Sequence, residues 1–568
     1  MTRRLLLPAV CFAVAAVCLF GRLGSLPLIA PDEGRNAEVA REMKDAGAWL
    51  VPTYDGLPYL DKPALYFRLV ALSMDALGEN ETAARLPAAL AAVGVLALAW
   101  AFSRRAWGER AAALSVLVVG TTPLVIAFAR IVIFDMVLAL FVIAAILAAW
   151  HAEETEEPAR GRWYVAAAAC SAVAVLVKGP VGFILPLLVL VAFHLLGGDR
   201  AALRRVFSPL NMLVFLLIVL PWFFGVALVR HDFPYYGLVE ESFHRFTSPA
   251  FHRTAPFWYY APVVLAVLFP WSILLPEAAV AAWRSRARWT RADRLLVAWA
   301  VVVVLFFSIS QSKLPGYVLT AVVALGLLTA RVLDLAIDGP GRARRLVLRG
   351  AAILAVIAAA GAALLAAAHG RPGGLPVLLH LRGGEWKRLG LSVGPLLWPL
   401  AGLAVLAAAG AWRRDLRPVC AAFALPPLFL LTAAFGGVRA YAEVGSGRAL
   451  ARSMPALAPA TELACLECLP NGVPFYLRRT LTLITRDGSE TTSNYVTFLL
   501  RRSAAWPPGV VRLSDLGAWL AWRSRPAFIL ADGAHRAALD SIASRASGRV
   551  APVAPGWWGA TLPAPPGP

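Results

Sequence analysis

The chain has 568 residues, of which 59% are hydrophobic and 15% charged, with a formal net charge of +20. So little charge does not cover the surface of a soluble protein of this size, so the composition points to a membrane protein. The positive balance would suggest nucleic-acid binding in a soluble chain. Here it gathers in short loops between apolar runs, and no nucleic-acid partner is expected.

Thirteen apolar runs follow one another at 5–23, 84–103, 111–129, 132–150, 163–177, 180–197, 209–229, 257–275, 295–310, 315–335, 350–369, 391–412 and 418–436. Each is near the roughly 20 residues that a bilayer requires. The first run, behind Arg3 and Arg4, is also compatible with a signal peptide, but equally apolar runs come after it and no clear cleavage site follows. The expectation is a polytopic α-helical membrane protein with about 13 transmembrane helices over 1–436 and a small α/β domain over 437–568. With the N-terminus in the cytoplasm, alternate loops carry Arg104/Arg105/Arg110, Arg200/Arg204/Arg205, the 284–294 arginines, Arg342/Arg344/Arg345/Arg349 and Arg413/Arg414/Arg417. This is the positive-inside bias, and it places the C-terminus and the opposite loops on the extracytoplasmic face of the membrane.

Those opposite loops hold Asp32 and Glu33, Asp61 and Lys62, Arg130 to Asp135, Lys178-Gly179-Pro180, the 230–256 segment with His244 and Arg245, and Lys313-Leu314-Pro315. Charges beside apolar spans are costly unless they are paired or face a polar cavity, so their shared side argues for one site. The loop at 24–83 predicts two interfacial helices, one with Val39, Met43 and Ala46 on its apolar face, the other with Leu65, Leu69, Leu72 and Ala76. In the last domain, Gly445–Leu457 reads as a helix. Leu463–Leu466, Leu481–Thr485 and Ala527–Leu530 read as strands, Gly533–Ala546 as a helix, and the Pro/Gly-rich tail after Pro552 as frayed. Cys465 and Cys468 have a redox spacing, which more often marks a structural disulfide or two free thiols.

A carboxylate pair and cations at a membrane surface suit the transfer of a sugar from a polyprenyl phosphate. The leaving phosphate needs cations to hold its charge, and the acceptor needs a carboxylate to take or orient its proton. Asp32 and Glu33 are the base candidates, and Lys62, Arg245 and Lys313 the phosphate-binding candidates. Each has a plainer reading: Asp32 as a helix cap, Lys62 as a snorkelling lysine, Arg130 and Asp135 as a structural ion pair, His244 as an exposed residue. A transporter of lipid-linked sugars would place charges at the bilayer midplane and show inverted repeats, and neither is visible here.

The runs Asp32-Glu33-Gly34-Arg35-Asn36-Ala37-Glu38, Gly56-Leu57-Pro58-Tyr59, Asp61-Lys62-Pro63, Ala84-Arg85-Leu86-Pro87, Lys178-Gly179-Pro180-Val181-Gly182 and Ser312-Lys313-Leu314-Pro315-Gly316-Tyr317 resemble the signature of bacterial GT-C glycosyltransferases. The resemblance is to the 4-amino-4-deoxy-L-arabinose transferases of lipid A and their protein O-mannosyltransferase relatives. It implies the GT-C fold and inverting transfer from a polyprenyl-phosphate-linked sugar to a lipid, glycan or protein acceptor. It also implies Asp32 as the essential acid, with Asp135 beside it among the catalytic candidates. Lys62 and Arg245 would lie on the donor phosphate, and Tyr317 in a mobile outer loop near the donor. A divalent cation occurs in some relatives, with Asp61 and His244 as candidate ligands. Asp61 stands where the arabinose enzymes often carry Glu, and Ser242 where they often carry His.

Overall fold

A computed structural model describes residues 2–198, 200–244, 254–284, 286–369, 394–503 and 505–565. The chain is a polytopic helical membrane protein. Among the described residues, eight helices are long and apolar enough to cross a membrane, or up to ten if each of two bent pairs is one span. Leu6–Phe20 and Val181–Gly197 are shorter apolar helices. The bends fall where proline interrupts an apolar run. Glu109–Gly120 turns by 67° into Pro123–Ala129, and Phe257–Val267 turns by 113° into Trp271–Arg284 after Pro270. The last expected span, 418–436, is broken into the short helices Leu416–Ala424 and Pro426–Leu431 and the start of Phe435–Val444. Pro426 and Pro427 interrupt it.

The chain divides into two compact units. The first comprises Met1–Leu23, Arg85–Trp222 and Ser242–Tyr441, and the second Gly24–Ala84, Phe223–Glu241 and Ala442–Pro568. The expected boundary at 436/437 is therefore close in sequence, but the second unit also takes in the first outer loop and the 223–241 segment.

In the first unit the basic loops touch one another. Arg105 donates to the Glu154 carbonyl, Arg205 pairs with Glu153 at 3.1 Å and Arg291 with Glu154 at 3.3 Å. Arg110 pairs with Asp334 at 2.7 Å, Arg349 with Glu277 at 3.3 Å, and Arg344 donates to the Arg414 carbonyl. The loops that the charge pattern assigns to one face are thus cross-linked by ion pairs.

The second unit opens with the helix Asp32–Ala46, closed by Gly47 at φ 63°. A hairpin of β1 (Thr53–Tyr54) and β2 (Leu57–Pro58) follows, its turn made by Asp55 and Gly56 at φ 54° and 74°. Glu42 accepts hydrogen bonds from the Thr53 hydroxyl and from the Asp55 and Gly56 amides. The Asp32–Ala46 helix is buried from Glu33 to Met43, charged residues included, rather than lying apolar face down in a headgroup layer. Its charges are paired internally: Arg41 meets Glu38 at 2.6 Å and Asp45 at 2.7 Å. Burial, only partly offset by Arg41, pushes the Glu38 pKa up to about 7. The next helix, Leu65–Leu77, buries Tyr66, Phe67, Val70, Ala71 and Met74. The expected apolar stripe lies on the other face and is turned away from the protein, Leu72 being 54% exposed, as an interfacial helix requires.

The sheet of the second unit has the order β5-β4-β3-β6-β8-β7, with β3 (Glu462–Leu466), β4 (Thr482–Thr485), β5 (Val510–Arg512), β6 (Ala527–Asp532), β7 (Arg549–Ala554) and β8 (Trp557–Leu562). β5, β4, β3 and β6 are parallel, and β8 runs antiparallel to β6 and β7. The tail expected to fray is this last hairpin. Pro552 is tolerated because it lies on the edge strand beside a register shift. The expected helix at 445–457 is Gly447–Ser453, and that at 533–546 is Arg536–Arg545. Cys465 and Cys468 are both free thiols, buried at the end of β3.

Candidate active site

In the second unit, the two acids of the opening motif part company. Glu33 is 4% exposed, and its Oε2 accepts the Ile29 amide at 3.0 Å, closing the turn before its own helix. The Asp32 side chain is 54% exposed and takes Arg35 Nη2 at 2.5 Å. Arg35 is itself held from behind: its Nη1 donates to the Thr492 hydroxyl at 2.6 Å and carbonyl at 3.0 Å. Asp32 is thus an outward carboxylate aimed by a fixed guanidinium, while Glu33 serves the local fold.

Asp61 is a buried acceptor. Its oxygens take the Tyr236 hydroxyl at 2.9 Å, the Ser493 hydroxyl at 3.2 Å, the Asn494 amide at 3.1 Å and the Tyr495 amide at 2.7 Å. The carboxylate therefore anchors the start of the helix Asn494–Arg502, where Ser493 is the N-cap. Burial pushes its pKa up, and the nearby Glu241 adds to that. Lys62 donates to the Asp61 carbonyl at 2.6 Å and is ion-paired with Glu241. Glu241 also accepts from Tyr236 and Asn494, both at 3.4 Å. Arg230 and Asp232 meet the Tyr495 hydroxyl at 3.0 and 2.6 Å.

In the first unit, Asp135 pairs with Lys178 at 2.5 Å, the side chains being 7% and 13% exposed. The expected Arg130–Asp135 pair does not form. Arg130 instead donates to the Cys18 and Leu19 carbonyls, both at 3.1 Å. Lys178 Nζ lies 4.9 Å from the Phe134 ring centre and 5.0 Å from that of Tyr317. It ends the helix Ala159–Lys178, and Gly179 at φ 82° turns the chain into Val181–Gly197. Gly182 is required there, because a Cβ would come 2.3 Å from the Ala174 carbonyl carbon. Lys313 is 7% exposed and donates to the Ser310 carbonyl at 2.5 Å. The Tyr317 turn, Pro315–Val318, is a packed 3-10 helix. Tyr260 bonds the Leu314 carbonyl and amide at 3.1 and 3.2 Å, and the Phe307 ring centre lies 4.9 Å from that of Tyr317.

Arg245 lies outside the described residues. His244, exposed, ends the π-helical stretch Tyr236–His244. A divalent cation does not fit the residues placed here. Among the described residues no three His, Cys, Asp or Glu side chains group to hold one, and both Asp61 oxygens already accept protein donors. No step below is routed through a metal. Sequence reasoning missed Tyr236, Glu241 as the partner of Lys62, and the 492–495 segment. Of these only the last carried a local signal, Ser493 before an apolar-periodic helix.

Lys178→Ala leaves Asp135 buried without its cation. It is expected to destabilise the first unit by on the order of 3–5 kcal/mol. Asp135→Asn in the same chain should return part of that loss. Thermal unfolding in detergent measures both, and a Lys178→Ala protein as stable as the parent would show the pair to be dispensable.

A family model described as dolichyl-phosphate-mannose-protein mannosyltransferase matches residues 61–224. The undecaprenyl phosphate-alpha-4-amino-4-deoxy-L-arabinose arabinosyl transferase of Edwardsiella ictaluri is 33% identical over 319 residues, 56% of this chain and 57% of that protein. Its counterpart from Aeromonas salmonicida is 32% identical over 328 residues, 57% of this chain and 59% of that protein. The chain thus spans a little over half the length of these curated relatives. The crystal structure of ArnT from Cupriavidus metallidurans bound to undecaprenyl phosphate superposes with a TM-score of 0.81 at 27% identity, covering 97% of each chain. In fold the chain is a GT-C membrane protein. Within that class it is ArnT-like along nearly its whole length.

Proposed function

We propose that the protein is an inverting glycosyltransferase that moves a sugar from a polyprenyl-phosphate-linked donor to an acceptor at the periplasmic face, lipid A or another envelope glycan. The observation that carries this reading is Asp32, a carboxylate left open to solvent yet aimed by Arg35, in a chain ArnT-like over 97% of its length. An acceptor oxygen attacks the anomeric carbon as the bond to the phosphate oxygen breaks. The phosphate leaves with the electron pair as polyprenyl phosphate. For a hydroxyl acceptor the proton passes to Asp32. A phosphate acceptor is already anionic, and Asp32 then orients it. Lys62 is the cation for the donor phosphate in the second unit, exchanging Glu241 for the phosphate as it binds. In the first unit Lys313 and Tyr317 are the corresponding candidates, and Asp135 is a positioning residue that holds Lys178. The match of 61–224 to the mannosyltransferase model favours protein Ser/Thr as the second acceptor class.

The test is transfer by the purified chain from undecaprenyl-phosphate-linked sugar, with intact-mass analysis of lipid A and of a Ser/Thr-containing acceptor protein. No product with either overturns the reading. Lys62→Ala is expected to weaken polyprenyl-phosphate binding by roughly 10–100-fold, the loss of one charge-assisted contact. Direct titration checks it, and unchanged affinity places the phosphate elsewhere.

The proposed sidedness has its own readout. A cysteine at Gly34 is unsuitable as a reporter, because its Cβ would lie 2.6 Å from Gly472 Cα. Ser514 and Ala287 are both exposed. In spheroplasts of a cysteine-free chain, Ser514→Cys should react with an impermeant maleimide, and Ala287→Cys only after permeabilisation. The reverse pattern would invert the topology.

A further inference from the structure

Lined by none of the residues assigned above to the chemistry, a cleft of about 340 Å³ in the second unit is formed by Glu79, Glu81, Arg448, Arg452, Tyr476 and Arg478. That is the size of a small-molecule site. Its walls are prebuilt. The helices Gly447–Ser453 and Val473–Leu477 meet so closely that a Cβ on Gly447 would lie 2.5 Å from the Val473 nitrogen. Tyr476 is fixed through its hydroxyl, which donates to Glu81 at 3.1 Å and accepts the Leu28 amide at 2.8 Å.

The acids of the cleft are already engaged. Glu81 takes Arg448 at 3.1 Å as well as Tyr476, and Glu79 takes Arg478 at 2.9 Å as well as Lys44. Arg448 is held by both Glu81 and Glu443, yet its Nε is buried with no hydrogen-bond partner. Arg452 is exposed with no partner among the described residues, and the Arg478 side chain is 67% exposed. With five N–H groups on each guanidinium, the arginines bring more donors than these carboxylates take up. Donors outnumber acceptors, so the cleft favours an acceptor-rich anion, which guanidinium forks bind well. The Tyr476 ring offers a flat apolar face, and the spare guanidinium N–H groups offer donors to sugar hydroxyl oxygens. Together these suit a sugar that bears a phosphate.

We propose that this cleft is a recognition subsite for a phosphorylated sugar of the acceptor. It rests on the transferase reading above, and places acceptor recognition on arginines remote in sequence from Asp32.

The full chain in nanodiscs tests it. Arg452→Glu with Arg478→Glu is expected to raise KM for a phosphorylated glycolipid acceptor at least tenfold, with donor KM unmoved. Arg452→Lys with Arg478→Lys should restore most of the affinity. Glucosamine 1-phosphate, as a soluble probe, should compete with the acceptor in the parent chain and lose that effect in the double Glu variant. Unchanged acceptor KM in an active, folded double Glu variant overturns the subsite and leaves the transferase reading standing. Inorganic phosphate competing as well as the sugar phosphate overturns the saccharide component. Phosphatidylglycerol vesicles competing as well would show a lipid-headgroup site and overturn the proposal. If the parent chain transfers no sugar, the transferase reading fails. Calorimetric titration of glucosamine 1-phosphate onto the parent and double Glu chains then decides the cleft by itself, with equal heats counting against it.

Discussion

Asp32→Asn is expected to lower sugar transfer by roughly 10²–10⁴-fold, the range of a lost general base, with membrane insertion and folding unchanged. The substitution keeps size and shape. The pair it weakens, Arg35–Asp32, is half exposed on the acid's side, so its contribution to stability is small. Arg35 also keeps its two contacts to Thr492. Glu33→Gln serves as the contrast, because Glu33 accepts its own loop's amide rather than facing solvent. Its expected effect on rate is far smaller. Initial rates of the purified variants decide the matter. An Asp32→Asn protein that transfers at the parent rate would remove Asp32 from the chemistry. With a hydroxyl acceptor the loss should fall on kcat. With a phosphate acceptor the loss is smaller, since no proton has to move.

Asp61→Ala should be the most damaging single change in the second unit. It leaves the Asn494 and Tyr495 amides and the Ser493 hydroxyl without their acceptor and the Tyr236 hydroxyl with only Glu241 at 3.4 Å, all around a residue only 7% exposed. Buried donors stripped of a partner cost about 1–3 kcal/mol each, so a loss of at least about 3 kcal/mol is expected even after relaxation. Hydrogen exchange at residues 493–496 should rise sharply. Unchanged protection there would show that the carboxylate does not anchor that helix. The raised pKa of Asp61 adds a pH signature. The folded chain holds the proton more tightly than an unfolded carboxyl of ordinary value 3.8, so stability falls as pH rises from 3.8 through the folded value.

The membrane-spanning character was legible because an apolar run of about 20 residues needs no partner to be recognised, but the number was not: eight to ten spans among the described residues against thirteen expected. Asp32 stands out in the sequence because it lies in the first polar loop, directly before a run of helix-forming residues. The division of labour between Asp32 and Glu33 was not, since it depends on which side chain Arg35 and the Ile29 amide take up. Asp61 was a candidate metal ligand only through the family resemblance, whereas the donors it accepts from lie more than 170 residues away, the farthest at a separation of 434. The closing hairpin was misread because Pro552 and Gly556 look like loop residues until an edge strand and a turn at φ 81° give each a place. The second face of Leu65–Leu77, which packs Tyr66 and Phe67 into the core, carried no separate expectation, because the leucine stripe alone set the helix's reading as interfacial.

The separation between Asp61 and Tyr495 also bears on how the protein comes into being. At about 5–20 residues per second, synthesis of the intervening 434 residues takes roughly 20–90 s. Through that interval Asp61 is without the helix it anchors, and Arg35 lacks Thr492. A chain cut short before residue 492 would insert its spans and still never set the guanidinium that aims Asp32. On the transferase reading, a chain truncated before residue 492 is therefore expected to transfer no sugar.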